Sequence, residues 1–171
     1  MAKCTDFKKA EEILKKQEEI LQFDSFNNED AWKLGCLMVE EVKKRGIDLS
    51  ICIRKINGNI IFQYVTEGTS LNNQKWMQRK FNTVAYMEAS SMRSTVISNI
   101  SGEVIATHGL SETDYKLCGG GFPIRIKNSG LVMVVTVSNL PHEEDHDFII
   151  CCLEKYLGVS VPHMTDEIPI P

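Results

Sequence analysis

Residues 142–146 read His-Glu-Glu-Asp-His, a literal H-E-x-x-H. On a helix this spacing stacks two imidazoles one turn apart, where they could hold zinc while the intervening glutamate acts as a general base. Asp166 and Glu167 are candidates for the third ligand such a site requires. The context argues otherwise. His142 follows Pro141 directly, at a helix start, and the downstream acids lie in a segment punctuated by prolines. An acidic first turn that complements the positive end of the helix dipole accounts for the same residues.

Gly119-Gly120-Gly121 is a second candidate. It lacks the final glycine of a dinucleotide-binding loop, because Ile124 stands there and a strand rather than a helix follows. Neither G-x-x-x-x-G-K-[ST] nor G-x-S-x-G occurs anywhere in the chain. Three glycines still strip away bulk where backbone N–H groups could approach a carboxylate or phosphate. They could equally make a tight connection into a strand stiffened by Pro123. Both readings stand. Arg79, Lys80 and Arg93 form a third candidate. Arg79 lies three residues beyond Trp76, on the same helical face, a pairing suited to an anionic planar ligand. Surface salt bridges explain these cations as well. Cys118 could act as a thiolate nucleophile or haem ligand, but no histidine adjoins it in sequence, and a quiet thiol is the simpler reading.

The elements that must position these residues follow from the hydrophobic pattern. With 171 residues, 43% of them hydrophobic, the chain can bury the core of one domain. Nineteen basic against 23 acidic residues leave a net charge of −4, and the basic clusters alternate with acids at helical spacing. Nucleic acid is therefore not an expected partner. The most apolar run, Leu131 to Val137, is too short to cross a bilayer, so no membrane partner is expected either. Cysteines 4, 36, 52, 118, 151 and 152 form no C-x-x-C. They read as reduced thiols, and with no apolar signal core near the start the expected location is cytoplasmic.

Residues 6–22 form an amphipathic helix, and a second helix starts at Asn27 or Asn28 and stops at Gly46. Leu49–Ile53 and Ile60–Val65 alternate as strands around Asn57-Gly58, which predicts a type I′ hairpin. A helix carrying Trp76, Met77, Phe81, Val84 and Ala85 follows, while Ser94–Ala106 stays ambiguous between helix and hairpin. A strand at Ile124–Lys127, a central strand at Leu131–Val137 and a last helix from near Pro141 complete the order, before a tail at Val159–Pro171. Such blocks predict an α+β fold, a mainly antiparallel sheet flanked by helices in a single domain.

Several ordered blocks are similar to one known family. They are residues Leu14–Leu21 through Ala31, Glu67–Ser70, Trp76-x-x-Arg79-Lys80, Ser90-Ser91-x-Arg93, Gly119–Ile124 and Val137-Ser138-x-Leu140-Pro141-x-Glu143-Glu144-Asp145-His146. Together they resemble the HbpS-like, or heme-degrading-domain (GlcG-type), family, and more closely its uncharacterised-protein branch of bacteria and fungi. The resemblance spans residues 14–157, leaving 1–13 as an extension of the first helix and 158–171 as a tail. It implies a profilin-like domain, closed homo-oligomers and a pocket of Trp76, Arg79, Lys80, Ser90, Ser91, Arg93, Tyr115, Gly119, Gly120, Gly121 and His146.

Relatives often carry histidine immediately before the double serine and before the glycines, where this chain has Ala89 and Cys118. Any role of those histidines would here be either impaired or taken by Cys118 and His146, the candidate catalytic residues. The family commonly has Gln at the position of His142, which makes that histidine look incidental. The combined expectation is a cytoplasmic homo-oligomer that binds a small anionic, haem-like ligand. Haem is the cofactor the resemblance implies, and catalysis, as weak haem-degrading or redox activity, is left open. The alternative is an oligomeric adaptor without catalysis, docking protein partners through the tail.

Overall fold

The computed structural model describes residues 6–164. Helix α1, Phe7–Ile20, starts where Asp6 Oδ1 accepts the Lys9 N–H, and it buries Ala10, Ile13, Leu14 and Gln17 at three- and four-residue steps. Asn27 caps α2, Asn28–Arg45, in a reciprocal box with Asp30, and Gly46 ends it at φ +63°. Strands β1 (Ser50–Lys55) and β2 (Ile60–Val65) form the expected hairpin.

The turn of that hairpin differs from type I′. Within it only Gly58 has positive φ, +94°, whereas type I′ needs two such residues. Gly58 N–H returns to Lys55 O, Lys55 N–H reaches Asn59 O, and Asn57 Oδ1 accepts the Asn59 N–H at 3.0 Å. The asparagine side chain thus closes a three-residue connection.

Helices α3 (Leu71–Met87) and α4 (Ser91–Ser101), with a short 3-10 turn at Ile105–His108, resolve the ambiguous stretch as helical. Their separation needs neither glycine nor proline. Glu88 takes φ +52°, and Ser90 Oγ caps α4 by accepting the Arg93 N–H at 3.1 Å.

β3 (Gly121–Ile126) and β4 (Gly130–Ser138) complete a four-stranded sheet of order β2-β1-β4-β3, antiparallel throughout. β3 begins three residues before Ile124 and includes Pro123, which an edge strand tolerates. Residues 133–138 of β4 are buried in unbroken succession because both faces are covered. On one face α2 and α5 (His142–Leu157) pack over Ile51, Ile53, Met133, Val135 and Val137. On the other, Phe81 and Val84 of α3 meet Val134. The α+β class, with helices flanking the antiparallel sheet of a single domain, is the one the pattern predicts.

Residues 159–164 run back over α1 and α5. Val161 and Met164 are buried, Gln17 Nε2 donates to Pro162 O at 2.8 Å, and Val161 N–H donates to Glu154 Oε1 at 2.8 Å. The first part of the predicted tail is therefore docked on the domain. Cys4, Asp166, Glu167 and the rest of the tail lie outside the described residues. No described helix is long and apolar enough to cross a membrane, and Cys36, Cys52, Cys118, Cys151 and Cys152 are free thiols.

Candidate functional site

Asn72, Asn73, Trp76 and Lys80 recur along α3 at steps that keep them on one helical face. They border a groove of about 420 Å³, walled opposite by Lys116, Leu117 and Cys118 and closed by Ser138–Leu140, His142 and Asp145. At its base Lys80 Nζ donates to Asp145 Oδ2 at 2.8 Å and to Val137 O at 2.9 Å. Only 4% of the lysine side chain and 2% of the aspartate's are exposed. The pair ties α3 to β4 and α5, and Asp145 Oδ1 also accepts the Leu140 N–H at 3.1 Å. Burial pushes the Asp145 carboxyl up to about 6 against the pull of Lys80 and of the Leu140 and Asn139 N–H groups. It remains ionised at neutral pH.

The ion pair explains the glycines. A Cβ on Gly120 would stand 2.6 Å from Lys80 Nζ and 2.8 Å from Val137 O, at a backbone φ of +111°. One on Gly119 would stand 2.2 Å from His142 O. Missing side chains let Lys80 and the start of α5 close on the loop. Two of the loop N–H groups are used internally: Gly119 donates to His142 Nδ1 at 3.1 Å and Gly121 to Ser91 Oγ at 2.9 Å. Of the two readings left open for this loop, close packing is the one these contacts favour.

His142 is a wall of the groove, not an incidental residue. Its Nδ1 accepts from Gly119, so its proton sits on Nε2, which lies 3.1 Å from Glu143 Oε2. Burial lowers its pKa and keeps the ring neutral. The signal was its three-residue spacing to Asp145, which places both on one face of α5. Cys118 borders the groove beside His142. Burial raises its pKa, with Lys80 pulling the other way, so the sulfur is a thiol and not the thiolate a nucleophile needs.

Arg79 lies over the Trp76 ring, 5.0 Å from its centroid, and its Nε donates to Thr113 O at 3.1 Å. The Lys116 ammonium pairs with no carboxylate among the described residues.

The other predicted positions lie away from this groove. Ser90 and Ser91 are buried parts of the scaffold, the first capping α4 and the second holding Gly121. Arg93 donates to Glu11 Oε1 at 2.9 Å and Glu18 Oε2 at 3.0 Å, and Glu18 also accepts the Ser90 N–H. Its charge is thus spent on α1. Tyr115 packs edge-on against Tyr86, with centroids 6.1 Å apart.

His146 is in the core at 1% exposure, its Nε2 2.8 Å from Gln17 Oε1. Since Gln17 Nε2 donates to Pro162, the imidazole must donate here, which leaves Nδ1 bare, buried and unpartnered. Burial pushes the His146 pKa down to about 4. The two histidines of H-E-x-x-H therefore serve separate neighbours, and Cys118 is accompanied by His142 rather than His146. Trp76, Lys80, Cys118 and the glycines come together; Ser90, Arg93, Tyr115 and His146 do not join them.

A larger opening, about 800 Å³, lies at the start of α2 among Phe26, Ile56, Leu131 and Met133. Among the described residues, Glu29 and Lys55 are its charged borders. The larger volume and the richer chemistry are in different places.

The family described as "Haem degrading protein HbpS-like" matches residues 26–154. A UPF0303 protein of Brucella anthropi is 36% identical over 163 residues, covering 92% of this chain and 94% of that protein. Among solved structures, the Ybr137w protein superposes with a TM-score of 0.79 at 24% identity, over 86% of this chain and 87% of that one. A PduOC–haem complex superposes at 0.59 with 15% identity, over 81% and 99%. At these identities the two structures show a shared fold.

Proposed function

The chain belongs to the HbpS-like family, and from that premise we propose that it is a binding protein whose α3–α5 groove takes a planar, anionic ligand. One arrangement carries the reading: Trp76 offers a ring on which a planar group can stack, with Arg79 across it and the unpaired Lys116 on the facing wall. Guanidinium and ammonium groups beside an aromatic face suit a flat carboxylate-bearing molecule. A groove of about 420 Å³ falls within the usual size of small-molecule sites. The buried Lys80–Asp145 pair sets its base.

Haem, the group the family description brings to mind, does not fit as a coordinated cofactor. Of the residues lining the groove, His142 and Cys118 are the ones of axial-ligand type, and ligation through them needs a bare imidazole nitrogen or a thiolate. Here both nitrogens of His142 are engaged by Gly119 and Glu143, and Cys118 is held as a thiol. A porphyrin enters this reading only through its flat face and its carboxylates, and no step is assigned to an iron centre.

Titration of the protein with hemin and with metal-free protoporphyrin distinguishes these terms. Both are expected to bind saturably with similar affinity, and Trp76→Ala and Lys116→Glu should each weaken both about tenfold, the loss of one contact of about 1.4 kcal/mol. Arg93→Ala should leave both unchanged. Absence of saturable binding, or binding by hemin alone, overturns the reading.

Self-assembly belongs to the same proposal. β2 is an edge strand with Ile60 and Val65 exposed, and Trp32 on the adjacent helix is 56% exposed. A bare apolar edge of this kind is ordinarily covered. Light scattering on the purified protein should give a mass above the monomer's, and a monomer at micromolar concentration removes this part of the reading.

A further inference from the structure

A second group of reactive side chains lies on α5, apart from the groove residues. Asp147, Cys151 and Glu154 recur at steps of four and three, and so share one stripe of the helix. His163 reaches that stripe from the segment that folds back after Gly158. The segment is fixed by Val161 N–H on Glu154 and by Pro162 O on Gln17. His163 Nδ1 lies 2.6 Å from Asp147 Oδ1, and its Nε2 lies 3.0 Å from Glu154 Oε2. Cys151 Sγ is 3.7 Å from Asp147 Oδ2. One donor atom from each of Asp147, Cys151 and His163 lies within 4.8 Å of the others.

We propose that Asp147, Cys151 and His163 form a binding site for a divalent transition metal of the zinc class. Donors at zinc bond lengths stand roughly 3.3–3.6 Å apart in a tetrahedron, so these groups reach that geometry through side-chain shifts on the order of 1 Å. A thiolate, an imidazole and a carboxylate select a borderline-soft ion, and disfavour magnesium and calcium, which prefer all-oxygen sets. Three protein ligands leave a fourth position for water.

Glu154 completes the arrangement. With the metal on Nδ1, the His163 Nε2–H keeps its hydrogen bond to Glu154, the carboxylate partner that ligating histidines usually have. Charge also balances: one divalent ion and the nearby Arg45 oppose Cys151 thiolate, Asp147 and Glu154. Arg45 interacts directly with Cys151 and favours its thiolate.

Without metal, carboxylates at both nitrogens require a doubly protonated His163 ring, and its pKa is raised accordingly. The Cys151 thiol is raised by burial and by Asp147.

Cobalt(II) is the probe, added to chelator-stripped, reduced, full-length protein. One equivalent should produce a near-ultraviolet thiolate-to-cobalt absorption that zinc(II) removes by competition. Cys151→Ser should abolish the absorption and weaken zinc binding at least tenfold, and Glu154→Gln should weaken it about tenfold. Cys36→Ser should change neither. A second readout needs no variant: calorimetric titration of the stripped protein with zinc should saturate at one equivalent per chain. No saturable absorption, an absorption that survives in Cys151→Ser, or no saturable zinc binding overturns the proposal. None of these results bears on the porphyrin titrations, which read the other side of α5.

Discussion

Lys80 and Arg93 sit on successive helices, and carboxylates from distant parts of the chain neutralise both. Lys80 is held by one aspartate and one carbonyl at the base of a groove, with 4% of its side chain exposed. Arg93 is held by two glutamates of α1, with 21% of its side chain exposed. In the first case the surrounding backbone is cut back to glycine so that an ion pair can sit where an opening begins. In the second the cation fastens one helix to another, away from that groove. A cation near a candidate pocket in sequence is available to a ligand only if the fold does not spend its charge elsewhere, and in both cases the fold has spent it. Lys116 on the groove wall and Arg79 over the Trp76 ring are the charges the proposed reading offers to a ligand.

The sharpest test of this contrast is Lys80→Met, which strands a buried carboxylate. Its cost should be about 3–5 kcal/mol in urea denaturation, and Lys80→Met/Asp145→Leu should recover most of it. A small loss from the single variant would erase the distinction between a desolvated pair and an exposed one.

The next effect is one of pH. The His146 pKa is lowered from 6.5 to about 4, so the unfolded chain binds its proton more readily, and stability is lost as pH falls from 6.5 toward 4. The Asp145 pKa is raised from 3.8 to about 6, so the folded chain binds that proton more readily, and stability is gained as pH falls from about 6 toward 4. These neighbours on α5 oppose each other. His146→Gln keeps a side-chain partner for Gln17 but cannot titrate, so acidification from pH 6.5 to 4 should stabilise it relative to the parent by on the order of 3 kcal/mol. Parallel stability profiles for the two proteins would contradict this.

Arg93→Ala removes two charge-assisted hydrogen bonds and leaves Glu18 poorly paired. A loss of about 1.5–3 kcal/mol is expected, with porphyrin binding intact. Smallest of all, Trp76→Ala should alter stability by about 0.5 kcal/mol or less, since its ring is not part of the buried core. Its effect belongs to ligand affinity. A large stability loss would make Trp76 structural and move it into the class of Lys80.

Much of the fold is legible in particular residues. The Asn27–Asp30 box and Gly46 mark α2 because unsatisfied N–H and C=O groups at helix ends demand such partners locally. The apolar run of Leu131–Val137 announces a strand covered on both sides. The α3–α4 break is not legible, because Glu88 and Ser90 break the helix with ordinary side chains, and Ser90 N–H is met by Glu18, a residue 72 positions away. The turn at Asn57-Gly58 is misjudged for a smaller reason, the asparagine's own hydrogen bond to Asn59.

The candidate site divides along the same line. Trp76, Arg79 and Lys80 can be placed on one helix face from their spacing, and Gly119–Gly121 can be recognised as a place without side-chain bulk. Which cation the groove keeps, that His142 rather than His146 faces Cys118, and that His163 returns to Asp147 and Glu154 depend on contacts between segments far apart in the chain. The sequence alone determines periodicity and caps, which rest on neighbours within a few residues, and family membership, which rests on the order of blocks along residues 26–154. Only the tertiary structure decides which charges are neutralised and which titratable groups are buried, because desolvation and pairing are properties of what packs around a side chain.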